Sequence, residues 1–382
     1  MRAPTVKAFV NGRVLLDGVL REDRIVLVEG DRIAAVATGD AVPADAERID
    51  LAGDVLAPGF IDTQVNGGGG VLFNDAPTVE TIARIGAAHR RFGTTGFLPT
   101  VISDDPAVVD RAVAAVAQAI AQGVPGVLGI HIEGPFLNVA RKGIHRADKI
   151  RPLDESGIAE LTRPTGGVTM ATLAPERTTP ATIARLADAG VVVMAGHSDA
   201  TYAEASAAIA AGMAGATHLF NAMSQLGNRE PGMVGAILDH DGLVSGIIVD
   251  GRHVSPATLR VALRARPTAD FMLVTDAMPS VGGPKAFDLQ GRAIRVEDGV
   301  CVDDRGVLAG SDLDMAAAVR NAIALLGLGE AEALTMAAAS AARLLRLDHR
   351  LGRIAPGSQA DLVRLREGRV TDTWIGGIGH AA

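Results

Sequence analysis

From Val55 onward the chain repeats one pattern: a short apolar run, a loop, an Ala-rich amphipathic stretch, then the next apolar run. This period constrains the fold more than any other feature. A strand buried on both faces, followed by a helix that returns the chain to its starting end, is the unit of a parallel sheet. The apolar runs are VLAPGFIDTQV (55–65), TGFLPTV (95–101), VLGIHIE (127–133), VTMATLAP (168–175), VVVMAGH (191–197), GATHLF (215–220), LVSGIIVDG (243–251) and FMLVTDA (271–277). Helical periodicity fits TVETIARIGAAHRRF, PAVVDRAVAAVAQAIAQ, ATIARLADA, TYAEASAAIAAG and SPATLRVALRA between them. Eight parallel strands in roughly 300 residues predict a (β/α)8 TIM-like barrel, whose chemistry sits at the carboxyl ends of the strands.

The two chain ends break the period. Residues 1–57 read as short strands joined by turns, Asn-Gly in KAFVNGRVLLDG and Glu-Gly-Asp in IVLVEGDRIAAVA, which suggests an antiparallel module. Residues 351–382 have the same character, so both ends are expected to build one small β-sandwich domain beside a barrel of residues 58–350. After the eighth run, FDLQGRAIRVEDGVCVDDRG (287–306) predicts a β-hairpin excursion before two helices, LDMAAAVRNAIALLG and EAEALTMAAASAARLL. Cys301 reads as a small apolar residue of that excursion and Trp374 as core of the small domain.

At the strand tips stand Gln64 and Asn66, then Glu133, His197, His218 and Asp276. One carboxylate and two imidazoles from three strands make a ligand set for a catalytic divalent ion, with positions open to water or substrate. Asp276, on a fourth strand, is the natural base, able to take a proton from an attacking water and return it to the leaving group. Plainer roles stay open for each: a histidine hydrogen-bonded at a strand end, Glu133 as a helix cap, Asp276 as a loop brace. Their joint occurrence at one end of four strands favours a site.

Charge narrows the partners. The net charge of −8 and the lack of a basic stripe argue against nucleic acid, and an anionic substrate needs a local cluster of donors. The apolar runs fall short of the ~20 residues of a membrane-spanning helix. A single cysteine excludes an internal disulfide, and charges near the start of MRAPTVKAFVNGRV argue against a signal peptide, so a cytoplasmic location is expected.

Seven segments carry a family resemblance: PGFIDTQVNGGGG (58–70), HIEGPFLN (131–138), GHSDA (196–200), THLFNAM (217–223), REPGMVG (229–235), DGRHV (250–254) and VTDAM (274–278). Together they resemble the N-acetylglucosamine-6-phosphate deacetylase family of the amidohydrolase superfamily, and GRIAPGSQADLV (352–363) is similar to a closing segment that many amidohydrolases share. The resemblance implies hydrolysis of the acetamide of a phosphorylated amino sugar. Glu133, His197 and His218 would be the ligands of one divalent metal per subunit (Zn, with Fe, Co or Mn as alternatives), and Asp276 the acid and base. His145 in RKGIH would contact the sugar or polarise the acetyl carbonyl. Asn221, the Ala222 backbone, Arg229 and His253 would bind the phosphate, in a homodimer where Arg229 and His253 reach the neighbouring subunit's site. Gln64 and Asn66 stand where many superfamily members have His-x-His; amide oxygens are weaker ligands than imidazole, so one tight metal is expected, with these two as hydrogen-bonding residues or a vestigial second site. The rival readings are the galactosamine epimer as substrate, a cyclic-amide hydrolase, and an inactive scaffold barrel.

Overall fold

The eight apolar runs become the eight strands of a closed barrel in the computed structural model, which describes residues 6–39 and 42–381. Residues 1–5, the start of the expected small domain, lie outside the described residues. The barrel strands are Phe60–Val65, Thr94–Ile102, Gly129–Glu133, Val168–Leu173, Val192–Ala195, Gly215–Ala216, Ser245–Ile247 and Phe271–Leu273. The first six pair in parallel in sequence order, as do the last two. Leu219 N donating to Gly246 O at 2.8 Å joins the sixth to the seventh, and Asn66 N donating to Ala277 O at 2.9 Å closes the eighth onto the first. Nearly every strand residue is buried, which is why these segments read as continuous apolar runs rather than alternating ones.

The predicted helices are present, and their starts are chemically marked. Thr78, Thr179 and Thr201 each accept a hydrogen bond from the backbone N–H three residues on, and Thr201 with Glu204 forms a complete capping box. Two further helices, Glu155–Leu161 and Gly232–Asp239, complete the units after the third and sixth strands. They are too short to show a period, and the second opens on a glycine behind Pro231. The excursion is more than a hairpin: Ala286–Leu289, Arg292–Glu297, Val300–Val302 and Leu308–Ser311 form a four-stranded antiparallel sheet. Its inner face, with Leu289, Ile294 and the fully buried Cys301, packs on Leu72, Ile102 and Met278 over the barrel mouth.

Both chain ends contribute to a pair of sheets. One holds Lys7–Val10, Arg24–Glu29, Arg32–Thr38 and Glu47–Asp50; the other joins Arg13–Leu16, Val19–Arg21 and Val55–Pro58 to Leu362–Arg366, Arg369–Ile375 and Ile378–Ala381. Phe9, Leu56, Leu362 and Trp374 share the core between them, with the Trp374 ring edge-on to Phe9 at 4.9 Å. Buried Asp54 ties the ends together by accepting from Arg364 Nε (2.6 Å) and Arg366 Nε (3.0 Å). The module is mixed rather than antiparallel, since Lys7–Val10 runs parallel to Glu47–Asp50. The Asn11-Gly12 turn does not close a hairpin; it carries the chain from one sheet to the other. A Cβ at Gly12 would come within 2.5 Å of Leu51, so the crossing is tight enough to need glycine. We propose the division into residues 1–57 with 351–382, and 58–350.

Candidate active site

The polar strand-tip residues meet in one mouth because of where their strands stop. Glu133 ends the third strand, while His197, His218 and Asp276 lie two or three residues beyond theirs with φ of 50°, 34° and 52°. A left-handed residue here turns the chain sharply and throws its side chain off the strand's pleat into the mouth. Such conformations cost of order 1–3 kcal/mol each and persist where surrounding structure over-determines them.

Glu133 Oε1 lies 2.9 Å from His218 Nε2 and 3.1 Å from His197 Nε2, and the two ring nitrogens are 3.2 Å apart. All three side chains are buried, and these ligand atoms form the one group of its kind among the described residues. His197 Nδ1 sits 2.9 Å from the carbonyl oxygen of Arg141. A carbonyl only accepts, so Nδ1 carries the proton and Nε2 turns a bare lone pair toward the Glu133 carboxylate. Two lone-pair donors facing each other at 3.1 Å repel unless a cation lies between them. The donor set therefore fits a divalent metal, with a backbone carbonyl orienting one ligand.

Burial opposes the charge on Glu133, but the His197 and His218 rings set against it outweigh burial and hold the carboxyl well below its usual range. His218 answers in kind: burial pulls it down, and the Glu133 hydrogen bond and charge lift it above the ordinary histidine value. Asp276, facing the cluster, accepts from Asn66 Nδ2 at 2.7 Å and Gln64 Nε2 at 3.1 Å. The same Gln64 nitrogen donates to Glu133 Oε2 at 3.1 Å, so one amide bridges two carboxylates. Burial, then the nearby charge of Glu133, pushes Asp276 up to about 6. Both amides turn N–H groups toward the carboxylates and leave Gln64 Oε1 and Asn66 Oδ1 buried without partners among the described residues.

The His145 ring stands 4.4 Å from that of His197, and its Nδ1 lies 2.8 Å from Ser103 Oγ. Burial and the neighbouring His197 push it down to about 3, so it is neutral near pH 7. Asn221, Ala222 and His253 line the other side of the same cavity, which encloses about 390 Å³. Phe220 and Ala222 are left-handed (φ 79° and 49°), and no residue among those described accepts from Ala222 N. Alternating backbone hands of this kind leave N–H groups converging on an anion. His253 is held by Asp250, Nδ1 to Oδ2 at 2.5 Å, and lines the cavity of its own chain. Arg229 is exposed on the loop after Met223 and does not line the cavity.

Three contributors escaped the sequence reading. The excursion supplies Leu289 and Val307–Gly310 as an apolar wall, which a hairpin reading could not aim. The Arg141 carbonyl is a backbone group with no sequence signal. Glu176 accepts from Asn138 Nδ2 (2.9 Å), Ser198 Oγ (2.7 Å) and Asp199 N (2.7 Å), tethering the loop that presents His197. As a carboxylate just past the fourth strand, it was visible to the same strand-tip rule that found Glu133.

A model of the amidohydrolase family matches residues 55–378. The chain is 44% identical over 372 residues, 96% of its length and 93% of the relative's, to an N-acetylgalactosamine-6-phosphate deacetylase of Shewanella sp. (strain ANA-3). It is 36% identical over 348 residues, 90% of its length and 91% of the relative's, to the N-acetylglucosamine-6-phosphate deacetylase of Haemophilus influenzae. Its fold superposes with a TM-score of 0.95, at 36% identity, on the crystal structure of N-acetylglucosamine-6-phosphate deacetylase from Pasteurella multocida, covering 99% of this chain and 100% of that one. No helix among the described residues is long and apolar enough to cross a membrane.

Proposed function

The chain belongs to the amidohydrolase family, and from that premise we propose that it hydrolyses the acetamide of N-acetylglucosamine 6-phosphate to glucosamine 6-phosphate and acetate. The observation that carries this reading is the convergence of Glu133, His197, His218 and Asp276 in one cavity of a chain whose relatives are phosphosugar deacetylases. Glu133, His197 and His218 hold one divalent ion per subunit, zinc in this reading, with iron, cobalt or manganese able to accept the same donors. The ion supplies Lewis acidity, which makes water a usable nucleophile near neutral pH.

Asp276 takes the proton from the attacking water as oxygen bonds to the acetamide carbon, then delivers it to nitrogen as the C–N bond breaks. A carboxyl raised toward neutrality by burial suits both duties. Gln64 and Asn66 both donate N–H groups to its Oδ1 and hold the carboxyl in place, a hydrogen-bonding role rather than ligation of a second ion. Neutral His145 donates to the carbonyl oxygen. Asn221, the Ala222 backbone and His253 receive the phosphate; Arg229 comes from the neighbouring subunit of a homodimer in the cytoplasm. A guanidinium matches a phosphate dianion in a paired geometry that an ammonium does not.

A second reading, preference for the galactosamine epimer, is favoured by the 44% identity to the Shewanella enzyme. Steady-state rates on the 6-phosphates of both acetamido sugars and on their unphosphorylated forms decide. The proposal expects N-acetylglucosamine 6-phosphate to be turned over fastest, and the free sugars to lose roughly 100-fold in kcat/KM with the phosphate contacts. Equal rates with and without phosphate would remove the phosphate site; a faster galacto substrate would establish the second reading.

A further inference from the structure

Two histidines in contact do different jobs in this cavity, and what fixes the difference is the group each ring meets at Nδ1. His197 Nδ1 faces the Arg141 carbonyl, an obligate acceptor, so its proton sits there and Nε2 is bare. His145 Nδ1 instead faces Ser103, with Ser103 N at 3.4 Å and Oγ at 2.8 Å. A backbone N–H is an obligate donor. A hydrogen aimed at Nδ1 is incompatible with a second hydrogen on that nitrogen, so Nδ1 accepts, and the neutral ring's proton must be on Nε2. The Ser103 hydroxyl has no other partner among the described residues, so its hydrogen also goes to Nδ1. Nε2 of His145 has no partner among the described residues, and the ring lines the cavity.

We infer that Ser103 is a positioning residue that locks His145 in the Nε2–H tautomer, giving the cavity one lone-pair imidazole and one N–H imidazole whose rings are 4.4 Å apart. The fold supports the assignment. Ser103 is fully buried just past the second barrel strand, and its carbonyl accepts from Gln290 Nε2 at 3.1 Å, so the excursion sheet anchors the residue that sets the tautomer. The opposite tautomer would present a lone pair to the lone pairs of an amide carbonyl and could not stabilise negative charge growing on that oxygen. The tautomer stands on geometry alone; its consequence for turnover rests on the deacetylation proposed above.

Long-range proton–nitrogen spectra of the zinc-loaded protein carrying 15N-histidine test the tautomer directly, with His145→Gln identifying the resonance. The expected result is an acceptor-type Nδ1 and a protonated Nε2 for His145, opposite to His197. A proton on Nδ1 of His145 would overturn the inference whatever the protein's activity. For turnover, Ser103→Ala is expected to lower kcat about tenfold, the worth of one net hydrogen bond, with KM and metal content little changed. Ser103→Thr, which keeps the hydroxyl, should recover most of that loss. In a His145→Ala background, Ser103→Ala should cost almost nothing further. An undiminished tenfold loss in that background, or no recovery with threonine, would show that Ser103 does not act through His145.

Discussion

The two sides of the cavity are built by different means. On one side, Glu133, His197 and His218 are buried and Asp276 is half-buried, and each contacts at least one other member of the site or its amide supports. On the other, Ala222 offers a backbone N–H without a partner among the described residues, His253 leans on a single aspartate, and Arg229 is exposed. The bond-breaking side is held by strand ends of a closed barrel and needs no rearrangement to act. The side proposed to bind phosphate is made of loops, and the Arg229 guanidinium would come into range only if another surface covered it. Chemistry demands geometry fixed to fractions of an ångström, whereas a dianion can be gathered by whatever donors close around it.

Three measurements can break this contrast. Asp276→Asn strikes the rigid side: kcat should fall about 1,000-fold while bound metal, read by elemental analysis, stays at wild-type level. Loss of metal together with activity would make Asp276 chiefly a ligand. Arg229→Ala strikes the loop side: kcat/KM on the phosphorylated sugar should drop about 10- to 100-fold, with the unphosphorylated sugar unaffected and the sedimentation coefficient unchanged. An equal loss on both substrates would place Arg229 in the scaffold rather than at the phosphate.

The smallest effect concerns charge in the metal-stripped protein. Glu133 lifts His218 above its ordinary 6.5 despite burial. A histidine raised in the folded state adds stability that is full below its unfolded pKa and is lost as pH rises through the folded one. The stripped protein's melting temperature should therefore fall by roughly 2 °C as pH is raised from about 6.5 into the alkaline range, and by less in stripped His218→Gln. An equal fall in the variant would mean that the Glu133–His218 pair contributes nothing to the empty fold.

Legibility in the sequence followed the same divide. The strands could be read because each is apolar along its whole length, and the four chemical residues because each ends or closely follows such a run. The helices Glu155–Leu161 and Gly232–Asp239 could not, being too short for a period to emerge. The Asn11-Gly12 turn was visible as a turn, but local preference is the same whether the next strand pairs back or crosses to another sheet. The resemblance put His253 with the phosphate residues, but no pattern in the sequence showed that Asp250 would pair with its ring at the cavity wall.

By itself, the sequence determined the barrel, the sheets at its two ends and the identity of the groups at the strand tips. These follow from periodicity and residue type, which are properties of short stretches. Tertiary structure alone decided which nitrogen of each histidine bears its proton, that one glutamine bridges two carboxylates, and that the excursion walls the cavity. Each of these depends on a partner far away along the chain, His145 on Ser103 and Gln64 on both Glu133 and Asp276. A hydrogen bond is set by distance and direction in space, and no local pattern carries either.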